Sequence, residues 1–365
     1  MSSGASIMQK LRVRPRLVDT SEATVTVVIP CYNYACYLPS AVHSALKQTG
    51  VRVDVVIVDD ASTDDSLLVA SRLSSENSRV QVVAHSTNAG PVQTFNDGLD
   101  KATGEFLVRL DADDLLTPGS LERAVAVARH YPSVGLIYGH PVHFSGENLP
   151  RARANPSSWT IWPGRQWLSD RCHSGYNVIT SPEVVMRKSL VDRLGGQRPL
   201  DHTHDMEMWL RLAAFSDVAY IHGADQAWHR EHPKSLSAQK VDAYRDLVER
   251  HLAFEVLFDG ISQELPELLE LQSAAKRAIA AQALKLATQV LDKNPADHVS
   301  INRFVNLARE IEPDVESVYE WQGLAARKHC GPILSSLHPL FVLQRIQRRV
   351  TNALRWQRWH RSGVF

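Results

Sequence analysis

The strongest constraint on this chain is a recurring pattern in its first third. Short apolar, β-branched runs close on polar or acidic residues, and segments with helical spacing separate them. Residues 25–30 (Val-Thr-Val-Val-Ile-Pro) read as a buried strand ending at proline, and Val53–Val58, Val80–Ala84 and Phe106–Leu110 read as further strands. Leu38–Lys47, Ser66–Leu73 and Val92–Ala102 carry apolar residues at helical spacing between them. Strands alternating with helices of this length imply an α/β fold with a mainly parallel sheet covered on both faces. In such sheets ligands sit beyond the carboxyl ends of the strands, so the polar residues at those ends come first for function.

Three strand ends qualify. They are Pro30-Cys31-Tyr32-Asn33, Asp59-Asp60-Ala61-Ser62 and Asp111-Ala112-Asp113-Asp114. Three carboxylates in four residues repel one another unless a cation neutralises them, and hard oxygen donors suit Mg²⁺ or Mn²⁺ bridging to phosphates. The same acids also read as a turn or helix start before Leu115–Ser120, and Asp59-Asp60 as a turn and helix start. A dinucleotide fold would need GxGxxG after the first strand, where this chain has Pro-Cys-Tyr-Asn-Tyr, and no P-loop is present. His202, His204, His222, His229 and His232 lack the spacing of a zinc site.

The ordered set V-V-I-P-C-Y-N, V-V-I-V-D-D-A-S-T-D, N-A-G and G-E-F-L-V-R-L-D-A-D-D resembles the family 2 glycosyltransferases. The likeness runs from Val25 to Leu121 and resumes at His204–Arg211 and Trp228–Ser237. The resemblance implies a GT-A nucleotide-diphospho-sugar transferase fold and an inverting, metal-dependent, non-processive transfer from a nucleotide-sugar, a UDP-sugar being favoured. Pro30, Tyr32, Asn33 and Asp60 match positions holding the nucleotide. Asn88, Gly90 and Asn96 match the lining of the donor cleft. Asp111, Ala112 and Asp113 match the DxD motif, with Mg²⁺ or Mn²⁺ on Asp111, Asp113 and His232 of a late R-x-H motif. Asp205 matches the general base, and it or Thr203 also reads as a cap for a helix over Met206–Phe215. Two departures stand out: His204 precedes the base where an acid is common, and Phe95 stands where Arg is common. No Q-x-x-R-W motif occurs.

The remaining chain organises around this unit. Residues 1–22 read as a flexible leader, 23–245 as the GT-A domain, and 246–365 as an α-helical C-terminal region with paired helices at Ala274–Leu291 and Ile301–Ile311. Arg151–Ser181 reads as loop. Lys+Arg and Asp+Glu each total 40, which argues against a nucleic-acid partner. Four scattered cysteines form no CxxC pair, which suits a reducing, cytoplasmic setting. No window is apolar enough to span a membrane. Residues 321–365 contain eight Lys or Arg and no Asp or Glu. From Pro339 to Arg361, Leu343, Ile346, Val350, Ala353 and Leu354 share one helical face, with Arg345, Arg348, Arg349 and Arg355 opposite. That basic amphipathic helix suits an anionic membrane surface, and docking on the domain or a homo-oligomer contact are its alternatives. The expected acceptor, a glycan or lipid-linked intermediate of surface glycan synthesis, is carried by the resemblance alone. A catalytically degenerate binding or scaffold protein and a nucleotidyltransferase are the competing functions.

Overall fold

The computed structural model describes residues 8–233 and 242–362. Residues 1–7 of the leader and 234–241, which include the end of the Trp228–Ser237 match, lie outside them. Strand β2 (Thr24–Cys31) pairs in parallel with β3 (Arg52–Asp59) along its whole length and with β5 (Phe106–Arg109) on its other side. Strand β4 (Val80–Ala84) completes this parallel edge. The sequence repeat therefore produces the expected layer, with β2 running one residue past Pro30.

Beyond β5 the sheet turns mixed. The three-residue β9 (Val185–Arg187) is antiparallel to both β5 and β7 (Val134–Phe144). The long β10 (Asp217–Arg230) is parallel to β7 and antiparallel to β8 (Ser158–Trp162) and to the two-residue β6 (Leu115–Leu116). With β1 (Leu11–Val13) at one edge, ten strands thus form one sheet in the order β1-β8-β10-β7-β9-β5-β2-β3-β4, with β6 beside β10.

Alternation along β2 and β3 divides the core. Val25, Val27, Ile29, Val53, Val55 and Ile57 face one layer, with α1 (Leu38–Leu46), α2 (Ser66–Glu76) and α4 (Ser120–His130). Val28, Val56 and Val58 face the other, with α3 (Gly90–Leu99), α5 (Gly164–Ser174) and α7 (His204–Phe215). That second core continues without a break into α8 (Ala243–Ile261), α9 (Glu270–Lys293) and α10 (His298–Ile311). The expected helix pair is present as α9 and α10.

Three expectations need correction. The leader is not wholly free, because β1 (Leu11–Val13) adds to the sheet against Trp159–Ile161, with Lys10 over the Trp162 ring. Arg151–Ser181 is not continuous loop, since it contains β8 and α5. The Trp and Ser residues that resemble loop composition are buried in β8, and Gly164 lets α5 start hard against α7. A Cβ there would stand 1.8 Å from the Ser216 carbonyl oxygen. Thr203 does not cap α7 with its side chain; its hydroxyl donates to the Glu249 carbonyl instead, while Asp205 lies inside the first turn.

The chain ends in α11 (Tyr319–Leu337), bent at Gly331, and α12 (Pro339–Ser362). Helix α12 folds back on the domain. One buried carboxylate, Asp292 on α9, meets Arg327 Nε at 3.1 Å, Arg348 at 3.0 Å and Arg345 at 3.5 Å. At its far end, the Trp359 carbonyl oxygen lies 3.1 Å from His140 Nε2 and the Arg361 carbonyl accepts from Arg153 at 2.9 Å.

Candidate active site

The parallel register brings the carboxyl ends of β2, β3 and β5 side by side, and their loops are tied together. Asn33, in a left-handed conformation at φ 60°, accepts from the Thr63 N–H at 2.7 Å and the Thr63 hydroxyl at 3.2 Å. Ser62 Oγ accepts from the Asn33 N–H at 3.0 Å, and Ser66 Oγ from the Tyr34 N–H at 2.9 Å. Tyr32 is exposed beside them. Three non-glycine residues among those described have positive φ, Asn33, Ala61 (56°) and Ser181 (129°), and each lies in a loop of this region. Such conformations are held by surrounding structure and concentrate at functional sites.

Asp60 is buried and already engaged. Its Oδ1 accepts from the Ala89 N–H at 2.7 Å and lies 2.8 Å from His85 Nδ1, while Oδ2 accepts from the Gly90 N–H at 2.9 Å. Burial opposes ionisation, but these donors outweigh it and hold the carboxyl below its ordinary pKa. Asn88 donates to the Asp60 carbonyl oxygen at 3.1 Å. Asp60 therefore clamps the Asn88–Gly90 loop over the end of β3, and the acceptor capacity left on Oδ2 is what a nucleotide base could use. Asn96 is committed elsewhere: its amide donates to the Gln197 carbonyl at 2.9 Å and accepts from the Gln197 N–H at 2.8 Å. Phe95 is fully buried in the core, so the position carries no cleft-facing group.

The acidic loop after β5 is braced by the end of β10. Leu115 and Leu116 pair with Trp228 and Ala227, which sets Asp113 and Asp114 against the residues that follow. Asp113 Oδ2 lies 2.8 Å from His232 Nε2. Asp114 Oδ1 accepts from the Arg230 N–H at 2.8 Å, and Oδ2 meets His229 Nδ1 at 3.0 Å. Arg230 also donates to the Asp113 carbonyl at 3.0 Å, with its guanidinium 4.6 Å from the Tyr37 ring. Tyr34 and Tyr37 flank His232 at 5.9 and 5.6 Å. The R-x-H segment and the acidic loop thus meet, as the resemblance implies, with Ala112 buried between the acids.

The charge balance of this loop is unusual. Burial, then repulsion from Asp114 and Asp111, pushes the Asp113 carboxyl up to about 6, against the contact with His232. Burial also raises Asp111, although Arg109 ion-pairs with it at 2.8 Å and works the other way. Burial disfavours a charged His229, yet Asp114, Glu183 and Asp111 outweigh it and raise its pKa to about 9. Among the described residues, no three His, Cys, Asp or Glu groups form a ready-made cation cage. The donor chemistry still fits a divalent cation, because Asp111 and Asp113 are oxygen ligands held under mutual repulsion. Mg²⁺ commonly takes one or two carboxylates and completes its shell with phosphate and water.

Asp205 enters from the first turn of α7. Its Oδ1 accepts from the Met206 N–H at 2.6 Å. Burial raises its pKa, partly offset by the charge of Arg109, and Asp111 raises it further. Arg109 is buried and also donates to Ser181 Oγ at 3.1 Å, so one guanidinium acts on both the acidic loop and Asp205. His204, beside it, is buried and driven down to about 3, chiefly by burial and then by Arg109, so it stands neutral next to the base candidate. The roles of Asp114, His229, Arg109, Ser181 and His85 escape sequence reading. Asp114 and His229 sit within recognised motifs, but Arg109 and Ser181 are 72 residues apart, with no local signal joining them.

Known proteins resemble this chain in sequence and in fold. Residues 26–195 match the family description "Glycosyl transferase family 2". An uncharacterized glycosyltransferase of Nostoc sp. is 40% identical over 114 residues, 31% of this chain and 35% of that protein. The chondroitin synthase of Escherichia coli is 25% identical over 243 residues, 66% of this chain and 33% of that protein. The chain thus spans about a third of the length of these curated relatives. The crystal structure of S. aureus TarS superposes with a TM-score of 0.52 at 16% identity, covering 80% of this chain and 54% of that one, which shows a shared GT-A fold. Residues 26–195, which hold the strands that end in the acidic loops, thus form a glycosyl transferase family 2 domain.

Proposed function

We propose that this chain is an inverting glycosyltransferase that moves one sugar per encounter from a nucleotide-diphospho-sugar, a UDP-sugar being favoured, to a hydroxyl of a glycan or lipid-linked acceptor. The relationship to a chondroitin synthase supports a polysaccharide or related glycan product. The observation that carries the reading is the meeting of the acidic loop with His232 on one side and, through Arg109, with the field acting on Asp205 on the other.

In this reading Asn33 and the Asp60 clamp shape the nucleotide end of the cleft, with Pro30 and Tyr32 beside the base and Asn88, Gly90 and Asn96 setting the loops around it. Asp111 and Asp113, with His232, would hold Mg²⁺ or Mn²⁺. When bound, that cation neutralises the diphosphate and stabilises the charge that develops on it. Asp205 accepts the proton of the acceptor hydroxyl as its oxygen bonds to the anomeric carbon. The bond from that carbon to the diphosphate breaks on the opposite face, releasing the nucleoside diphosphate. Arg109 partly offsets the burial that raises the Asp205 pKa, and neutral His204 adds no charge beside it. The working place is the cytoplasmic face of a cell membrane, where α12 would meet anionic lipid. No described helix is long and apolar enough to cross a membrane.

A thermal-shift screen of nucleoside diphosphates with and without Mn²⁺ tests the donor site. One nucleotide should raise the midpoint in a metal-dependent way by mass action, and Asp113→Ala should abolish that rise. No rise with any nucleotide would overturn the donor assignment.

A further inference from the structure

Helix α12 has two opposite faces that do different things. At 3.6 residues per turn, Phe341, Arg345, Arg348 and Trp359 fall on one side, and they are the residues that grip the protein. Phe341 is buried under the Arg327 guanidinium, 4.3 Å from its ring, and Arg345 and Arg348 reach Asp292. The Trp359 ring stands 4.3 Å from His143, whose own ring is 4.8 Å from His229. The reverse side carries Leu340, Leu343, Ile346, Val350 and Leu354, each 51–62% exposed. Their spacing of three and four residues keeps all five on one stripe along the helix. The apolar side of this amphipathic helix therefore faces away from the domain, and the basic side opposite it is partly used to hold the helix in place.

We propose that an anionic lipid bilayer covers this stripe, with α12 lying flat in the headgroup region and the catalytic domain seated above it. This deepens the membrane part of the proposed function and rests on it. Charge decides the occupant. Arg349 and Arg361 are exposed on the helix, and residues 321–365 contain no Asp or Glu. A bilayer bearing anionic headgroups complements those cations. A second copy of the chain does not, because a two-fold contact sets the same surface against itself and would face arginine with arginine. The grip at Trp359 gives the seat a direction: two ring contacts, Trp359 to His143 and His143 to His229, lead from the bilayer helix to the loop bearing Asp114. The mouth of the donor site is thus held at a fixed place relative to the membrane plane.

The test is sedimentation of the full chain with vesicles of phosphatidylcholine alone and of phosphatidylcholine with about 30% phosphatidylglycerol. The chain should sediment with the anionic vesicles and not with the neutral ones. Raising salt from 0.1 to 0.5 M should release part of it. The pair Leu343→Glu and Val350→Glu should lower the partition at least tenfold, whereas Leu67→Glu and Leu68→Glu on α2, equally exposed but outside the stripe, should leave it unchanged. Molecular mass by light scattering without vesicles is measured in parallel. A full chain that ignores anionic vesicles overturns the proposal. So does a dimer that the Leu343→Glu/Val350→Glu pair converts to monomer. The thermal shift with nucleotide and Mn²⁺, run on the same pair, reads the donor site separately, so loss of the membrane seat and loss of the transferase reading give different results.

Discussion

His229 makes a quantitative prediction because its partner Asp114 is buried and its shift is large. Its ring meets Asp114 at 3.0 Å, and its pKa stands at about 9 against an ordinary value of 6.5. A histidine whose folded pKa is raised contributes its full stabilisation below the unfolded value, and loses it as pH rises through the folded value. A shift of this size corresponds to about 3 kcal/mol, present below pH 6.5 and gone above pH 9. Other large histidine shifts lie at acid pH: burial takes His204 to about 3, and His143 and His222 to about 4. Asp113, at about 6, titrates at the acid end of the range, below the main His229 step. Urea unfolding in a chelator, at half-unit steps from pH 6 to 9.5, should show the wild-type chain losing about 3 kcal/mol across the range. His229→Gln should start lower at pH 6 and run nearly flat, and Asp114→Asn should flatten the slope too. A wild-type profile with no decline, or a His229→Gln profile with the wild-type slope, would refute the electrostatic account of this loop.

Other substitutions probe the remaining parts. Asp205→Asn should keep the nucleotide- and Mn²⁺-dependent thermal shift while the transfer rate falls by roughly 10²–10⁴-fold; near-normal turnover would remove it from the base role. Asn33→Ala removes the acceptor for the Thr63 N–H and leaves alanine at φ 60°, so the urea midpoint should fall by the equivalent of about 1–3 kcal/mol, and Asn33→Gly should recover the conformational part alone. Gly164→Ala should lower stability by about 1–3 kcal/mol or more in the same assay, because the methyl meets the Ala213 and Ser216 carbonyl oxygens.

What the sequence makes legible follows from the range of the interactions involved. The parallel layer reads directly, since β-branched alternation and helical spacing are local properties, and Val80–Ala84 carries both from pattern to β4 unchanged. Asp113 with His232 also reads well, because two motifs each mark a chain position and the fold needs only to join them. Arg109 with Ser181 does not, being a buried contact between distant segments with no pattern of its own. Strand β8 is hidden for a different reason: Ser158-Trp-Thr-Ile-Trp162 is buried on both faces, so it lacks the alternation that marks a half-buried strand. Asn96 shows the converse, where a motif position is spent on Gln197 rather than left facing the cleft. The two faces of α12 are visible in the sequence, but which one grips the domain depends on Asp292, some fifty residues earlier.

That same aspartate acts as a lynchpin. Replacing Asp292 by Asn would leave Arg327, which is almost wholly buried, and Arg345 without their counter-ion at one stroke, and Arg348 with them. The three do not let go one after another, because they share a single anchor. Drawing that pin loosens the near end of α12, while its far end keeps the Trp359 contact with His140 and the Arg361 contact with Arg153. One buried carboxyl group thus sets how firmly the start of the last helix is held against α9.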